Sequence, residues 1–278
     1  MNVLTIDLEE WFHVVYDSDE AEWGNKESRI LRNADFVLES LTTNNLKATF
    51  FTLGWIARQY PDLVKKIHEA GFEIGSHSDT HRAAYKFSKS GFKADVKRSV
   101  ESLEALTGEK IRSFRAPYFS LNKFIAHYIE ALVENGIEID SSICPIETRY
   151  GGYKEFPFNE PCLIKSNGIA IKEFPLNTVN IFNKRTIYSG GGYFRLLPLL
   201  LTKALIKQQP YNMTYFHPHD FDRAQPPANL PMLSDIRRRV GAAAAGNKFR
   251  KLLSTFDFVD IYASDKLTNW DNAPVLTL

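Results

Sequence analysis

His77 and His81 stand four residues apart in His77-Ser78-Asp79-Thr80-His81, so one helical turn or a tight loop aims both imidazoles at a single point. Asp7 and Glu9 are two apart in Thr5-Ile6-Asp7-Leu8-Glu9, and the period-two alternation of a strand sends both carboxylates to one side. An isolated H-x-x-x-H pair arises often by chance; the carboxylate pair is what gives this one weight. One carboxylate can bind a metal ion with the two histidines while the other serves as base, and two histidines with one carboxylate are a ligand set for catalytic zinc. Such an ion lowers the pKa of a water from about 16 to about 7 and polarises a carbonyl. Arg115 would then hold the base carboxylate ionised and correctly turned, His217 would protonate a leaving amine, and Asp140 would orient that histidine.

These residues share a position. Short β-like runs at 3–6, 47–53, 72–76, 111–114, 137–139, 169–174, 213–216 and 256–262 alternate with helix-period segments, the pattern of parallel strands joined by helical crossovers. Asp7 and Glu9 follow the first run, and His77, Arg115, Asp140 and His217 each follow a later one. In a parallel barrel the carboxyl ends of the strands form one face, where catalytic groups gather. The spacing therefore predicts an α/β fold, a single distorted (β/α) barrel forming one domain over 1–278. Its core covers about 3–222, residues 145–175 form an insertion loop region, and 223–278 supply a C-terminal helical extension with the last strand.

Composition narrows the class. Of 278 residues 44% are hydrophobic and 24% charged, an average globular balance that excludes a disordered or coiled-coil chain. Lys+Arg number 34 against 33 Asp+Glu, a net charge of +1, too even for a surface that must neutralise many phosphates, so nucleic acid is not the expected partner. Cys144 and Cys162 read as buried thiols. The opening residues carry neither a basic nor an apolar leader region, so the expected location is cytoplasmic. Residues 196–206 are about half the length of a spanning helix and contain Pro198 and Lys203. They suit a core helix or cap, with peripheral contact at a bilayer as the most a membrane would receive. Gly190-Gly191-Gly192 lacks any phosphate-loop context and reads as a turn.

In order along the chain these residues resemble the polysaccharide deacetylases of carbohydrate esterase family four, the NodB-homology group. The family's T-F-D-D motif resembles Thr5-Ile6-Asp7-Leu8-Glu9, its H-[ST]-x-x-H motif His77 to His81, its R-x-P-[YF] motif Arg115-Ala116-Pro117-Tyr118, and its L-x-H motif Tyr215-Phe216-His217. Arg115 to Ser120, Asp140 to Ile143, Glu173 to Pro175 and Gly190 to Arg195 resemble more closely the branch met in envelope-polysaccharide and exosortase-associated gene neighbourhoods. The resemblance implies a distorted barrel with one divalent metal, zinc first and cobalt, nickel or iron also admitted by the donors, acting on an N-acetylated sugar. It implies Asp7 as base, His77 and His81 as metal ligands, Arg115 as the partner of Asp7, His217 as acid, and the Tyr118 N–H as an oxyanion donor.

Leu8 stands where many members have a metal-binding Asp. Glu9 is the expected replacement, with Glu10 or a water taking the place if the strand register differs. His219, in His217-Pro218-His219-Asp220, competes with His217 as the acid. Trp11 is a candidate sugar platform beside the site, as are its aromatic neighbours, although aromatics at a barrel mouth more often pack. The expected activity is removal of N-acetyl groups from an amino sugar, lipid- or nucleotide-linked, during envelope polysaccharide assembly. The alternatives are the same chemistry on a small ureide or formamide, and a saccharide-binding barrel without catalysis.

Overall fold

A computed structural model describes residues 1–13, 20–122, 125–181, 183–228 and 230–278. Strand β1 (Asn2–Leu8) is flanked by β10 (Asn212–Phe216) and β2 (Thr49–Thr52), and β3 (Glu73–Ser76), β4 (Ser113–Phe114) and β5 (Ile139–Asp140) follow in order. Beyond β5 the sheet continues through β7 (Ile169–Glu173), β6 (Cys162–Ser166) and β11 (Val275–Thr277), while β8 (Val179–Ile181) and β9 (Lys184–Thr186) form a separate ribbon. All neighbours in the nine-stranded sheet are parallel except β6 with β7. The fold is α/β, as the alternating pattern predicts. Among the described residues the strand order runs from β10 to β11 without a pairing between these two edges.

Strands buried on both faces read as continuous apolar runs, and Thr49–Thr52 and Asn212–Phe216 are buried at every position. The helix Ile30–Thr43 buries Ile30, Ala34, Val37, Leu38 and Leu41, the stripe its spacing sets. The next helical stretch is broken into Gly54–Gln59 and Pro61–Glu69, because Pro61 disfavours helical geometry at Tyr60, which sits at φ −132° and ψ 56°. Residues 145–175 are more regular than their Pro and Gly content suggests: β6 and β7 form a hairpin around Asn167 and Gly168, both at positive φ. The expected strand over 256–262 is absent. Only Val259 bridges to Val3, and Asp260 caps a helix over Ile261–Leu267 by accepting a hydrogen bond from the Ala263 N–H at 2.7 Å.

The segment 190–208 is helical on both sides of Pro198, as Gly191–Leu196 and Leu199–Gln208. Gly190-Gly191-Gly192 thus opens a helix instead of forming a free turn. A Cβ on Gly190 would lie 2.1 Å from the Tyr215 carbonyl oxygen, a close approach only glycine permits.

Candidate active site

Every candidate from the motifs lies at a strand's carboxyl end. Asp7 belongs to β1 and Glu9 follows it; His77 follows β3, Arg115 follows β4, Asp140 ends β5 and His217 follows β10. The parallel sheet carries these ends to one side, and the side chains meet there. The loop from His77 to His81 is held open in an uncommon conformation, with Ser78 at φ 67° and His81 at φ 50°. Buried Asp79 fixes it through Arg58 Nη1 at 2.5 Å, and Asp95 fixes it by accepting from the Asp79 N–H and Thr80 Oγ1, both at 2.9 Å.

The two imidazoles are oriented by backbone carbonyls. His77 Nδ1 is 2.8 Å from the Arg115 carbonyl oxygen, and His81 Nδ1 is 3.0 Å from that of His13. A carbonyl only accepts, so each Nδ1 carries the proton and each Nε2 lone pair points inward. There His77 Nε2 is 3.8 Å from Glu9 Oε2, and His81 Nε2 lies against the same oxygen. Glu9 Oε2 is buried and has no hydrogen-bond donor. The ligand atoms of Glu9, His77 and His81 all lie within 4.8 Å of one another. Three acceptors converging on one buried point fit a divalent cation. Leu8 itself is fully buried in the core.

Electrostatics sharpen the set. Burial alone would raise the Glu9 carboxyl, but His81, His217 and His219 around it outweigh burial and hold it well below the usual carboxylate range. Burial pushes His77 down to about 4, so it is neutral at pH 7 and able to ligate. Asp7 Oδ1 accepts from Arg115 Nη1 at 2.8 Å, and the fully buried guanidinium also donates to Thr5 Oγ1 at 2.6 Å, the Ser141 carbonyl at 3.0 Å and Ser141 Oγ at 2.8 Å. Its plane rests on Phe51, with the guanidinium carbon 4.4 Å from the ring centre.

His217 Nε2 lies 3.8 Å from both Asp7 Oδ2 and Glu9 Oε1. Its Nδ1 is 2.9 Å from Asp220 Oδ2, and Arg195 Nε approaches the other Asp220 oxygen at 3.2 Å. Burial opposes the imidazolium, yet the Asp220 carboxylate overrides it and, with Glu9 and Asp7, lifts His217 to about 9. His219, stacked on His217 at 4.9 Å, is pushed down to about 4 by burial and by the His217 charge. Glu9, His217 and His219 form a second group able to approach a cation, sharing Glu9 with the first.

Two sequence expectations are corrected here. Asp140 does not orient His217: it accepts from Ser142 Oγ and pairs in register with Glu173, while Asp220 holds the histidine. Trp11 offers no platform, since it is 5% exposed, donates through Nε1 to the Glu27 carbonyl at 2.8 Å and lies beneath Arg238. Glu10 points away from the histidines. It caps the helix Ile30–Thr43, with Oε1 accepting from Ser28 Oγ and from the N–H groups of Arg29 at 2.8 Å and Ile30 at 3.0 Å. Tyr118 sits at the rim with φ 59°, its ring edge on His81 and its hydroxyl donating to the His13 carbonyl at 3.0 Å. Asp220, Glu173 and Arg195 complete the site without having been singled out by chemistry in the sequence, and His13, whose place on an aromatic run carries little weight there, joins them through its carbonyl at His81 and Tyr118. Asp220 alone had a readable signal, its position three residues after His217.

Residues 31–139 match the family model described as polysaccharide deacetylase, and residues 141–265 match a domain of unknown function, DUF3473. The peptidoglycan-N-acetylglucosamine deacetylase of Bacillus cereus is 34% identical over 82 residues, 30% of this chain and 30% of that protein. Its counterpart PgdA of Listeria monocytogenes is 37% identical over 93 residues, 34% of this chain and 20% of that protein. The aligned parts thus span less than a third of either relative. A solved Mycobacterium smegmatis chain assigned as a polysaccharide deacetylase superposes with a TM-score of 0.67 at 16% identity, covering 100% of this chain and 92% of its own. A family 4 carbohydrate esterase pseudoenzyme from Bacillus anthracis superposes at 0.51 with 15% identity, covering 95% and 64%. At such identities the likeness establishes the fold. The polysaccharide deacetylase model thus matches residues 31–139 of the chain, and the whole chain shares the fold of these solved structures.

Proposed function

We propose that this chain is a metal-dependent hydrolase that removes N-acetyl groups from an amino sugar in cell-envelope polysaccharide biosynthesis, with the two matched ranges acting as one catalytic domain. The observation that carries the reading is the convergence of Glu9, His77 and His81, donor atoms within 4.8 Å, beside an Asp7–Arg115 pair and a charged His217. A divalent ion, zinc by its donors, would acidify a water and polarise the acyl carbonyl there.

The remaining steps belong to side chains. Asp7, held at one oxygen by Arg115, keeps Oδ2 available to take a proton from the attacking water. His217, charged at neutral pH through Asp220, gives a proton to the departing sugar amine. Stabilisation of the developing oxyanion falls to the Tyr118 N–H, set at the rim by its left-handed backbone. Base, its positioning arginine and acid are all present, which argues against a barrel that only binds saccharide.

The test is acetate release from N-acetylhexosamine oligomers, peptidoglycan fragments and nucleotide sugars, beside formate release from small formamides and ammonia release from small ureides. Acetate from a saccharide, lost in Asp7→Asn, is the expected result. Turnover of the small amides alone would transfer the chemistry to that class, and no turnover of any of them would overturn the reading.

A further inference from the structure

The helices after Gly190 carry an apolar surface that the core leaves uncovered. Leu196 is 66% exposed, Leu200 83%, Met232 74% and Leu233 64%, and Ile236 and Val240 are also exposed. In Leu199–Gln208 the buried positions are Thr202 and Ile206, so Leu200, Ala204 and Lys207 share the outer side. In Met232–Arg239 the inward residues Asp235 and Arg238 bond one another, leaving Met232, Leu233, Ile236 and Arg239 outward. The two runs meet where Gly241 approaches Arg195, so closely that a Cβ would lie 2.7 Å from the Arg195 carbonyl oxygen. Exposed apolar side chains gathered on two helical segments that approach each other in this way mark a contact surface.

Charge identifies what the face meets. Residues 193–251 contain ten Lys and Arg against three Asp and no Glu, a net of +7 in a chain whose total is +1. The three acids are buried and already paired: Asp220 with Arg195, Asp222 with Arg29 and Arg32, and Asp235 with Arg238 and Arg239. On the helix that carries Leu200 and Leu201, Lys207 is left exposed and Lys203 partly exposed. Protein interfaces set their register with charges of both signs. A face of apolar side chains with cations only has the composition of one that lies on an anionic bilayer.

We propose that the surface formed by residues 193–207 and 232–240 docks on an anionic lipid membrane. The leucines and methionine enter the headgroup boundary while the cations meet lipid phosphates. This surface is one side chain away from the active site, since Arg195 contacts Asp220 and Asp220 holds His217. Together with the deacetylase reading, on which this clause alone rests, it would bring a lipid-linked saccharide to the acid's side of the cleft.

The experiment is co-sedimentation of the full chain with phosphatidylcholine vesicles with and without half phosphatidylglycerol. Expected is partition onto the anionic vesicles only, weakened by salt, and reduced about tenfold or more in Leu200→Asp/Ile236→Asp. Unchanged circular dichroism and acetate release in the variant show that its fold and site survive, and vesicle binding is read whether or not the chain turns over any substrate. Equal binding to neutral vesicles, no binding to anionic ones, or a variant that binds like the parent overturns the proposal. So does a dimer in light scattering that this variant dissociates, which would give the face to a second copy.

Discussion

Asp140 and Glu173 face each other in register at the ends of β5 and β7, and Asp140 Oδ2 and Glu173 Oε2 are both buried without a donor. Their other oxygens are satisfied, by Ser142 Oγ for Asp140 and by the Ile143 N–H at 3.1 Å for Glu173. Two carboxylates so placed cannot both ionise. Burial pushes Asp140 up to about 6, and burial with the Asp140 charge raises Glu173 well above its ordinary value. One proton shared between them satisfies both orphan oxygens. The pair braces residues 141–143, and Ser141 in turn takes two hydrogen bonds from Arg115.

Both groups bind a proton more tightly folded than unfolded, so their contribution to stability is complete below about pH 4 and is lost as pH rises through 6 and beyond. Glu173→Gln, whose amide donates at every pH, removes that loss. Denaturant titrations should show the variant gaining about 1–3 kcal/mol relative to the parent between pH 5 and pH 8. Parallel profiles would mean that no proton is shared.

Asp7→Asn should lower kcat by about 10²–10⁴ while the protein retains its metal, and His81→Ala should lose both. Elemental analysis beside acetate release checks both. Metal loss in Asp7→Asn would reverse the roles of Asp7 and Glu9.

The elevated His217 rests on Asp220. In Asp220→Asn burial dominates and the imidazole becomes neutral at a much lower pH. The descending alkaline limb of kcat/KM should move to lower pH, with a loss of about 10–100-fold at pH 8 that is partly recovered near pH 6. An unmoved limb would assign the acid to another group.

Glu10→Ala should cost about 1–2 kcal/mol, because the N–H groups at the start of Ile30–Thr43 lose their cap. Thermal denaturation reads this as a lower midpoint. Metal content and kcat should not change; a fall in metal content would make Glu10 a ligand.

The strand-end residues were legible because period-two alternation and strand-to-helix punctuation are local. Asp7, Glu9, His77, Arg115 and His217 all fall where that pattern predicts. What escaped depended on non-local pairing. β10 pairs with β1, placing His217 beside Asp7 and Glu9, whereas Asp140 at the end of β5 is taken up by Ser142 and Glu173. Glu173 becomes the neighbour of Asp140 only because β7 joins the sheet beside β5, with the β6 hairpin strand added antiparallel outside it. Trp11 lies next to the site in sequence, but its burial follows from packing against Phe12 and Arg238, which no spacing rule reports.

The most direct test of the central claim is the metal content of protein purified without chelator, with acetate release measured before chelation, after it and after zinc is restored. About one equivalent of metal, activity lost on chelation and recovered with zinc is the predicted result. Acetate release that persists in fully stripped protein, or a chain that takes up no divalent ion at Glu9, His77 and His81, would contradict it.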